Sequence, residues 1–228
     1  MTASSPYVLL INPNSSEATS GMMLDIARRR ADGRLRIEAA TATRSPSMIV
    51  NDEQLHASAA QVIEIGRGQD SNCIGVIVSA YGDPGVVHLQ EILAVPVLGI
   101  CEASMLDATR NGRRFGIATV TPDLADAIAA RAESLGLSHL YTGIRCTPGD
   151  PEKLARDGAR LRTELEAAVR LCIMDGAEAV IIGGGPLGEA AEQLRGSFDI
   201  PIVAPISSAV ELMIEALDNQ QICGEVQA

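Results

Sequence analysis

The sequence predicts an α/β protein of two similar lobes, each a parallel sheet flanked by helices, with a ligand cleft between them. Two apolar β runs break into Gly-rich turns about half a chain apart: Val76-Ile77-Val78 leads into Ser79-Ala80-Tyr81-Gly82, and Val180-Ile181-Ile182 into Gly183-Gly184-Gly185-Pro186. The repeat extends further. Val95-Pro96-Val97-Leu98-Gly99 returns as Ile200-Pro201-Ile202-Val203-Ala204, and Leu9-Leu10-Ile11-Asn12-Pro13-Asn14 is echoed from Gly116 to Pro122. Three correspondences in one order, offset by roughly 105 residues, indicate a duplicated half rather than a solenoid repeat. Composition agrees: 46% of the 228 residues are hydrophobic but only 2% are aromatic. Such an aliphatic core suits parallel sheets covered on both faces.

The elements follow by periodicity and punctuation. Tyr7 to Ile11 reads as a strand, and Ser15 to Arg30 as an amphipathic helix started by the Asn/Pro/Asn/Ser cluster. Leu35 to Ala40 is a strand, Arg44 to Asn51 a loop, and Asp52 to Arg67 a helix. Then come strand Cys73 to Ser79, helix Pro84 to Leu93, strand Val97 to Ile100 and helix Glu102 to Asn111. The second half restarts with strand Phe115 to Val120, helix Pro122 to Leu135 and strand Leu140 to Ile144. A turn-rich stretch from Arg145 to Pro151 leads into one long helix, Pro151 to Asp175. Strand Ala179 to Ile182, helix Leu187 to Phe198, strand Ile202 to Ala204 and helix Ser207 to Leu217 complete the series, and the tail after Asp218 has little periodicity. Alternating βα units of this kind give a parallel sheet with right-handed crossovers. The expected lobes are 1–112 and 113–228, closely packed, with the C-terminal helix able to return to the first.

Charge and cysteine usage narrow the function. A formal charge of −11 argues against a nucleic-acid surface, which needs basic residues to neutralise phosphates. The five cysteines are scattered, with no CxxC and no Cys/His cluster, so no metal is expected. Cys73, Cys172 and Cys223 read as structural. No apolar stretch reaches membrane-spanning length and no charged n-region precedes a long apolar run, so a soluble, cytoplasmic protein is expected, with no membrane partner. Compact lobes of this kind expose apolar helix faces, which points to a homo-oligomer.

Several strand ends share a grammar of polar or small residue, Pro, then helix: Asp83-Pro84, Thr121-Pro122, Gly185-Pro186, and the longer Asn12-Pro13-Asn14-Ser15-Ser16. Pro suits the first helical position, and the residue before it can cap the helix. Ordinary capping accounts for each alone. If all four sit at the C-terminal ends of parallel strands, their free N–H groups face one crevice and favour a carboxylate or enolate. The turns Asn12 to Ser16 (with Asn14 and Ser15), Ser79 to Gly82, Thr119 to Thr121 and Gly183 to Gly185 are therefore the candidate substrate-binding segments.

At these residues the chain resembles the aspartate/glutamate/hydantoin racemase superfamily, most closely its hydantoin-racemase branch. INPNSS, AYGDPG, VPVLGICEAS and the strand-Gly-Gly-Gly turn match in order over nearly the whole chain. The resemblance implies pseudo-twofold-related lobes with the substrate between them, and cofactor-independent proton transfer beside a carbonyl by two cysteines on opposite faces of the substrate. The first of those cysteines matches Ala80 here, and the second Gly184. Neither replacement can carry a proton, so a two-thiol mechanism is not expected.

Other residues must then act. Cys101 follows the strand at Val97 to Ile100, and a helix N-terminus just downstream would lower its pKa and make it nucleophilic; the bland alternative is a small buried hydrophobe. Glu102 is a helix cap or a general base. Asp83 either caps or holds a water, and Tyr81 could line the pocket and supply a hydroxyl. Ser79 is a hydroxyl donor without a visible base, and Ala80 and Gly82 flank it as backbone contacts. Arg145 could clamp a carboxylate or pair on the surface. The expected function is a cofactor-independent enzyme of amino-acid derivatives, acting on a small carboxylate, hydantoin or related cyclic imide through an enolate-like or oxyanion intermediate. Isomerase-type chemistry is what the resemblance implies; hydrolysis, desulfuration, decarboxylation or C–N cleavage is the neighbouring alternative, and a non-catalytic small-anion binding protein the third.

Overall fold

The structure, a computed structural model, describes residues 5–226 and side chains as far as residue 220, so Cys223 lies outside the described side chains. The first half runs β1 (Tyr7–Asn12), α1 (Glu17–Ala31), β2 (Ile37–Thr41), α2 (Asp52–Arg67), β3 (Cys73–Val78), α3 (Val86–Ile92), β4 (Val97–Gly99) and α4 (Ile100–Ala108). The second runs β5 (Phe115–Thr119), α5 (Ala125–Ser134), β6 (Tyr141–Cys146), α6 (Pro151–Ala155), α7 (Gly158–Met174), β7 (Ala179–Ile182), α8 (Gly188–Leu194), β8 (Ile202–Val203) and α9 (Pro205–Val226). Short 3₁₀ turns at Pro122–Leu124 and Gly185–Leu187 precede α5 and α8.

Both halves form a four-stranded, wholly parallel sheet, ordered β2-β1-β3-β4 and β6-β5-β7-β8. Identical order is the three-dimensional form of the internal repeat. Along each strand, alternate side chains go to opposite faces, as the pleat requires. Val8, Leu10 and Ile77 join Ile117 and Ile181 in one central core, while Leu9, Ile11, Val76 and Val78 pack outward with Val62, Val86 and Leu89. On the other side Val180 and Ile182 pack outward with Leu165 and Val169 of α7. The central core also takes Met23 and Ile26 of α1, Ile100 and Met105 of α4, and Val210 and Met213 of α9. The two halves thus share an interior, and α9 packs against α1 and α4 of the first half.

Three elements differ from the sequence expectation. The long helix splits, because Asp150 caps α6 through the amides of Glu152 and Lys153, and Asp157 then caps α7 through that of Arg160. β6 continues through Arg145 and Cys146, which were expected in a loop. The last helix starts at Pro205 and continues to Val226, past the expected end at Leu217.

The halves meet most closely at their strand-end turns. A Cβ added to Gly185 would lie 2.5 Å from the Ser79 carbonyl oxygen, a backbone atom that cannot swing aside. Gly185→Ala should therefore cost about 1–3 kcal/mol by overpacking. Gly21 lies within α1, and an added Cβ there meets nothing within 4 Å. Gly21→Ala should stabilise by about 0.5–1 kcal/mol through helix propensity. Urea denaturation of the two variants checks both signs.

Candidate active site

A chamber opens where the turns of both halves converge. Asn14, Ser79, Ala80 and Tyr81 line it from the first half, and Thr119, Thr121, Gly183, Gly184 and Gly185 from the second. Ala80 and Gly184 are thus on the walls of one cavity. The remainder of the wall is apolar: Met48, Ile49, Leu55, Val120, Leu124, Pro186 and Leu187.

Asn14 is positioned by a buried polar network that β1 delivers. The Asn12 side-chain amide donates to Asn14 Oδ1 at 2.9 Å and to Ser20 Oγ at 2.9 Å, and Asn12 Oδ1 accepts from the Asn14 amide at 3.1 Å. Asn14 Oδ1 also accepts from the Ser16 amide at 2.9 Å. With its oxygen engaged in this way, Asn14 has its Nδ2 hydrogens left for the chamber's occupant. Asn12 and Ser15 themselves are outside the lining: Asn12 sets the turn, and the Ser15 amide donates to the Pro46 carbonyl at 3.0 Å.

The hydroxyls are mostly committed. Ser79 Oγ donates to the Ile11 carbonyl at 2.8 Å, and Thr119 Oγ1 to the Gly183 carbonyl at 2.6 Å. Thr121 Oγ1 lies 3.3 Å from Thr119 Oγ1 and, since the Thr119 hydrogen goes to Gly183, is the donor of that pair, keeping acceptor capacity. Several amides are uncommitted. Among the described residues those of Ala80, Thr121, Gly184 and Gly185 donate to no protein acceptor, although buried donors are nearly always paired. Gly184 has φ 148, a backbone that side-chain-bearing L-residues rarely adopt. The second-half turn is therefore shaped by glycine.

The residues expected to do chemistry are placed elsewhere. Asp83, Cys101, Glu102, Gly82 and Arg145 do not line the chamber. Asp83 does not cap its own helix, which begins at Val86 with Gly85 as N-cap. With φ 53 it turns its carboxylate to the N-terminus of α4 instead, accepting from the Cys101 amide at 2.9 Å and the Glu102 amide at 2.8 Å. Arg131 of α5 reaches across from the second half, its Nε 3.1 Å from Asp83 Oδ2 and its Nη2 bonded to Glu102. Burial pushes both carboxyls up from their ordinary range, and the Arg131 charge pulls them back.

Cys101 requires a correction. Its thiol is fully buried, and burial followed by the adjacent Asp83 charge holds it well above the usual thiol range, against the expected lowering. Desolvation outweighs the helix N-terminus there, because that N-terminus is already neutralised by Asp83. The small buried hydrophobe is the reading the structure favours. Arg145 is also corrected: it is exposed on β6, in a bidentate pair with Asp175 at 2.6 Å. Tyr81 puts its ring against the chamber, but its phenol is buried, accepts from Ser104 Oγ at 3.4 Å, and is held well above its ordinary range by desolvation.

Sequence reading missed Arg131 and the apolar wall. Nothing local marks Arg131, whose partners lie 29 and 48 residues away along the chain. Met48 and Ile49 did carry a signal, the apolar run Met48-Ile49-Val50 inside a loop. Among the described residues no three His, Cys, Asp or Glu side chains gather where a metal could be held.

Two like-ordered parallel sheets whose strand-end turns close on one chamber define a two-lobed α/β enzyme of the racemase fold. The chain belongs to the Asp/Glu/hydantoin racemase family, whose model matches residues 8–213. It is 27% identical to a hydantoin racemase of Pseudomonas sp. over 216 residues, 92% of this chain and 86% of that protein. Among solved structures it resembles allantoin racemase from Klebsiella pneumoniae, with TM-score 0.85 and 27% identity over 95% of this chain and 89% of that one. The fold is also that of allantoin racemase from Pseudomonas fluorescens, at TM-score 0.87 and 23% identity over 94% and 92% of the two chains. This chain is therefore a racemase-superfamily enzyme related to the hydantoin and allantoin racemases.

Arg131→Ala should cost about 3–5 kcal/mol near neutral pH, because it leaves two buried carboxylates unpaired. Both carboxyls are raised on folding, so their protonation favours the folded state as pH falls, and the deficit should narrow in acid. Denaturant melts from about pH 7 to about pH 5 check both magnitude and slope.

Proposed function

We propose that the chamber binds a small cyclic imide such as a hydantoin, or a related small carboxylate, and stabilises negative charge on its carbonyl oxygen without thiol chemistry. The observation that carries this reading is the set of uncommitted donors from both halves: the amides of Ala80, Thr121, Gly184 and Gly185, beside Asn14 Nδ2. Preorganised donors of this kind favour an enolate or oxyanion over its neutral precursor. With no lysine or arginine in the lining, a largely neutral ring bearing an apolar substituent fits better than a dicarboxylate.

The only titratable side chain on the wall is Tyr81, whose phenol is directed to Ser104. Racemisation needs a base on one face and an acid on the other. A wall without either favours a second reaction, in which a carboxylate on the carbon beside the carbonyl leaves as carbon dioxide. The electron pair of the broken C–C bond then becomes the enolate, and water supplies the proton.

Optically pure 5-substituted hydantoins and the corresponding hydantoin-5-carboxylates distinguish the two. Loss of optical activity reports isomerisation, and carbon dioxide release reports decarboxylation. Asn14→Ala should lower the rate of the active class by roughly 100-fold, as loss of one oxyanion donor does. Cys101→Ala should retain most of it. Complete loss of turnover in folded Cys101→Ala, or no binding of either class by calorimetry, would overturn the reading.

A further inference from the structure

The chamber is closed around very little space. It holds about 30 Å³, enough for a water or two, whereas an imide ring with its carbonyl groups is several times larger. A wall residue must therefore move. Three larger grooves abut the chamber, one of them, of about 550 Å³, only at Pro186. A second, of about 570 Å³, shares Leu55 with it and carries Asp52, Asp123 and Asp126. The third, of about 330 Å³, shares Met48 and Pro186 with it and carries Ser16, Thr19, Ser47 and an Arg156/Glu152 pair of opposite sign.

Of the three shared residues, Pro186 is fixed in the 3₁₀ turn by its ring, and Leu55 and Met48 are held very differently. Leu55 is on α2, packed so tightly over Gly82 that a Cβ there would lie 2.6 Å from it. Met48 is on the loop between β2 and α2. That loop is tied by the Pro46 carbonyl to Ser15 and by the Val50 amide to Gln54 Oε1 at 2.9 Å. Among the described residues, the backbone of Ser47, Met48 and Ile49 between those ties makes no hydrogen bond. Met48 comes from the first half but inserts into the core of the second, with Val120, Leu154 and Leu187. It is held by packing alone, and an unbranched thioether can leave and re-pack at little cost.

We propose that Met48 is the specificity-determining residue of the site: the substrate enters from the hydroxyl-lined groove by displacing Met48, and the ring substituent occupies the volume that Met48 vacates. The identity of the ring rests on the function proposed above; the route does not. Entry past Leu55 would displace a branched side chain carried on a capped helix, and would take a carbonyl-rich substrate past the carboxylates of Asp52, Asp123 and Asp126.

Route and substrate can be tested apart. A thiol placed in the chamber by Ala80→Cys is labelled with methyl methanethiosulfonate and located by peptide mass spectrometry, with the native buried Cys73 and Cys172 reporting any global opening. Adding Met48→Ala should accelerate labelling at least tenfold, and adding Leu55→Ala far less. Equal acceleration by both, or none by Met48→Ala, would overturn the route. In the otherwise native chain, Met48→Ala should raise the affinity ratio of 5-benzylhydantoin to 5-methylhydantoin at least tenfold. A uniform change across both ligands would mean that Met48 is structural and would overturn its role in specificity. Accelerated labelling with neither hydantoin bound by any variant would uphold the route and overturn the substrate class.

Discussion

The site depends on where one carboxylate is bound. Asp83 holds the amides at the start of α4 and the guanidinium of Arg131 at the same time, so a single side chain joins a turn, a helix and the opposite half. The chain from Ser79 to Gly85 is irregular, with positive φ at Gly82, Asp83 and Gly85. Without a fixed point, such a turn would sample many conformations, and the Ala80 amide at its head would have no defined direction. Helix-terminal N–H groups and a buried cation provide that point. The cost is two buried carboxylates served by one guanidinium, an arrangement that stability alone does not favour. What it secures is geometry, because charge stabilisation at an oxyanion needs donors that are already in place.

The same clamp occupies the acidic groups near the site. A general base must be free to take a proton, whereas Asp83 and Glu102 are both bound to Arg131, and Asp83 also to backbone. Cys101 is shut behind them. On the function proposed above, the chemistry falls to uncharged donors, which can stabilise a developing charge but cannot move a proton.

Much of the architecture was legible in the chain because it is encoded locally. Continuous apolar runs at Val8 to Ile11 and Val76 to Val78 specify strands with two buried faces, and Asn51 marks the start of α2. The convergence of Asn14 with Gly184 was legible through the internal repeat, which places like turns at like strand ends. What stayed hidden is set by tertiary contact. Asp83 before Pro84 looks like a cap for the next helix, yet its positive φ sends the carboxylate to α4. The position of Cys101 after a strand suggested an activated thiol, but a helix N-terminus activates only what it can still reach, and Asp83 has already occupied it. Asp157 looked like one more polar residue in a long helix, while its side chain begins a new one.

Gly184 bears on how the two halves came to differ. If this turn had merely lost a side chain, its backbone would still suit an L-residue. Instead φ is 148, and an added Cβ would meet Leu187 at 3.1 Å. Its neighbour Gly185 is close enough to the Ser79 carbonyl to forbid any side chain. On the first-half wall the corresponding position is an ordinary alanine, with no positive φ. The two walls therefore differ in backbone conformation as well as in side chain. The second-half wall offers two successive uncommitted amides, at Gly184 and Gly185, and the first-half wall likewise two, at Ala80 and Tyr81. Uncommitted donors therefore face the chamber from both halves, and the difference between the walls is one of backbone conformation, set by glycine in the second half and ordinary in the first.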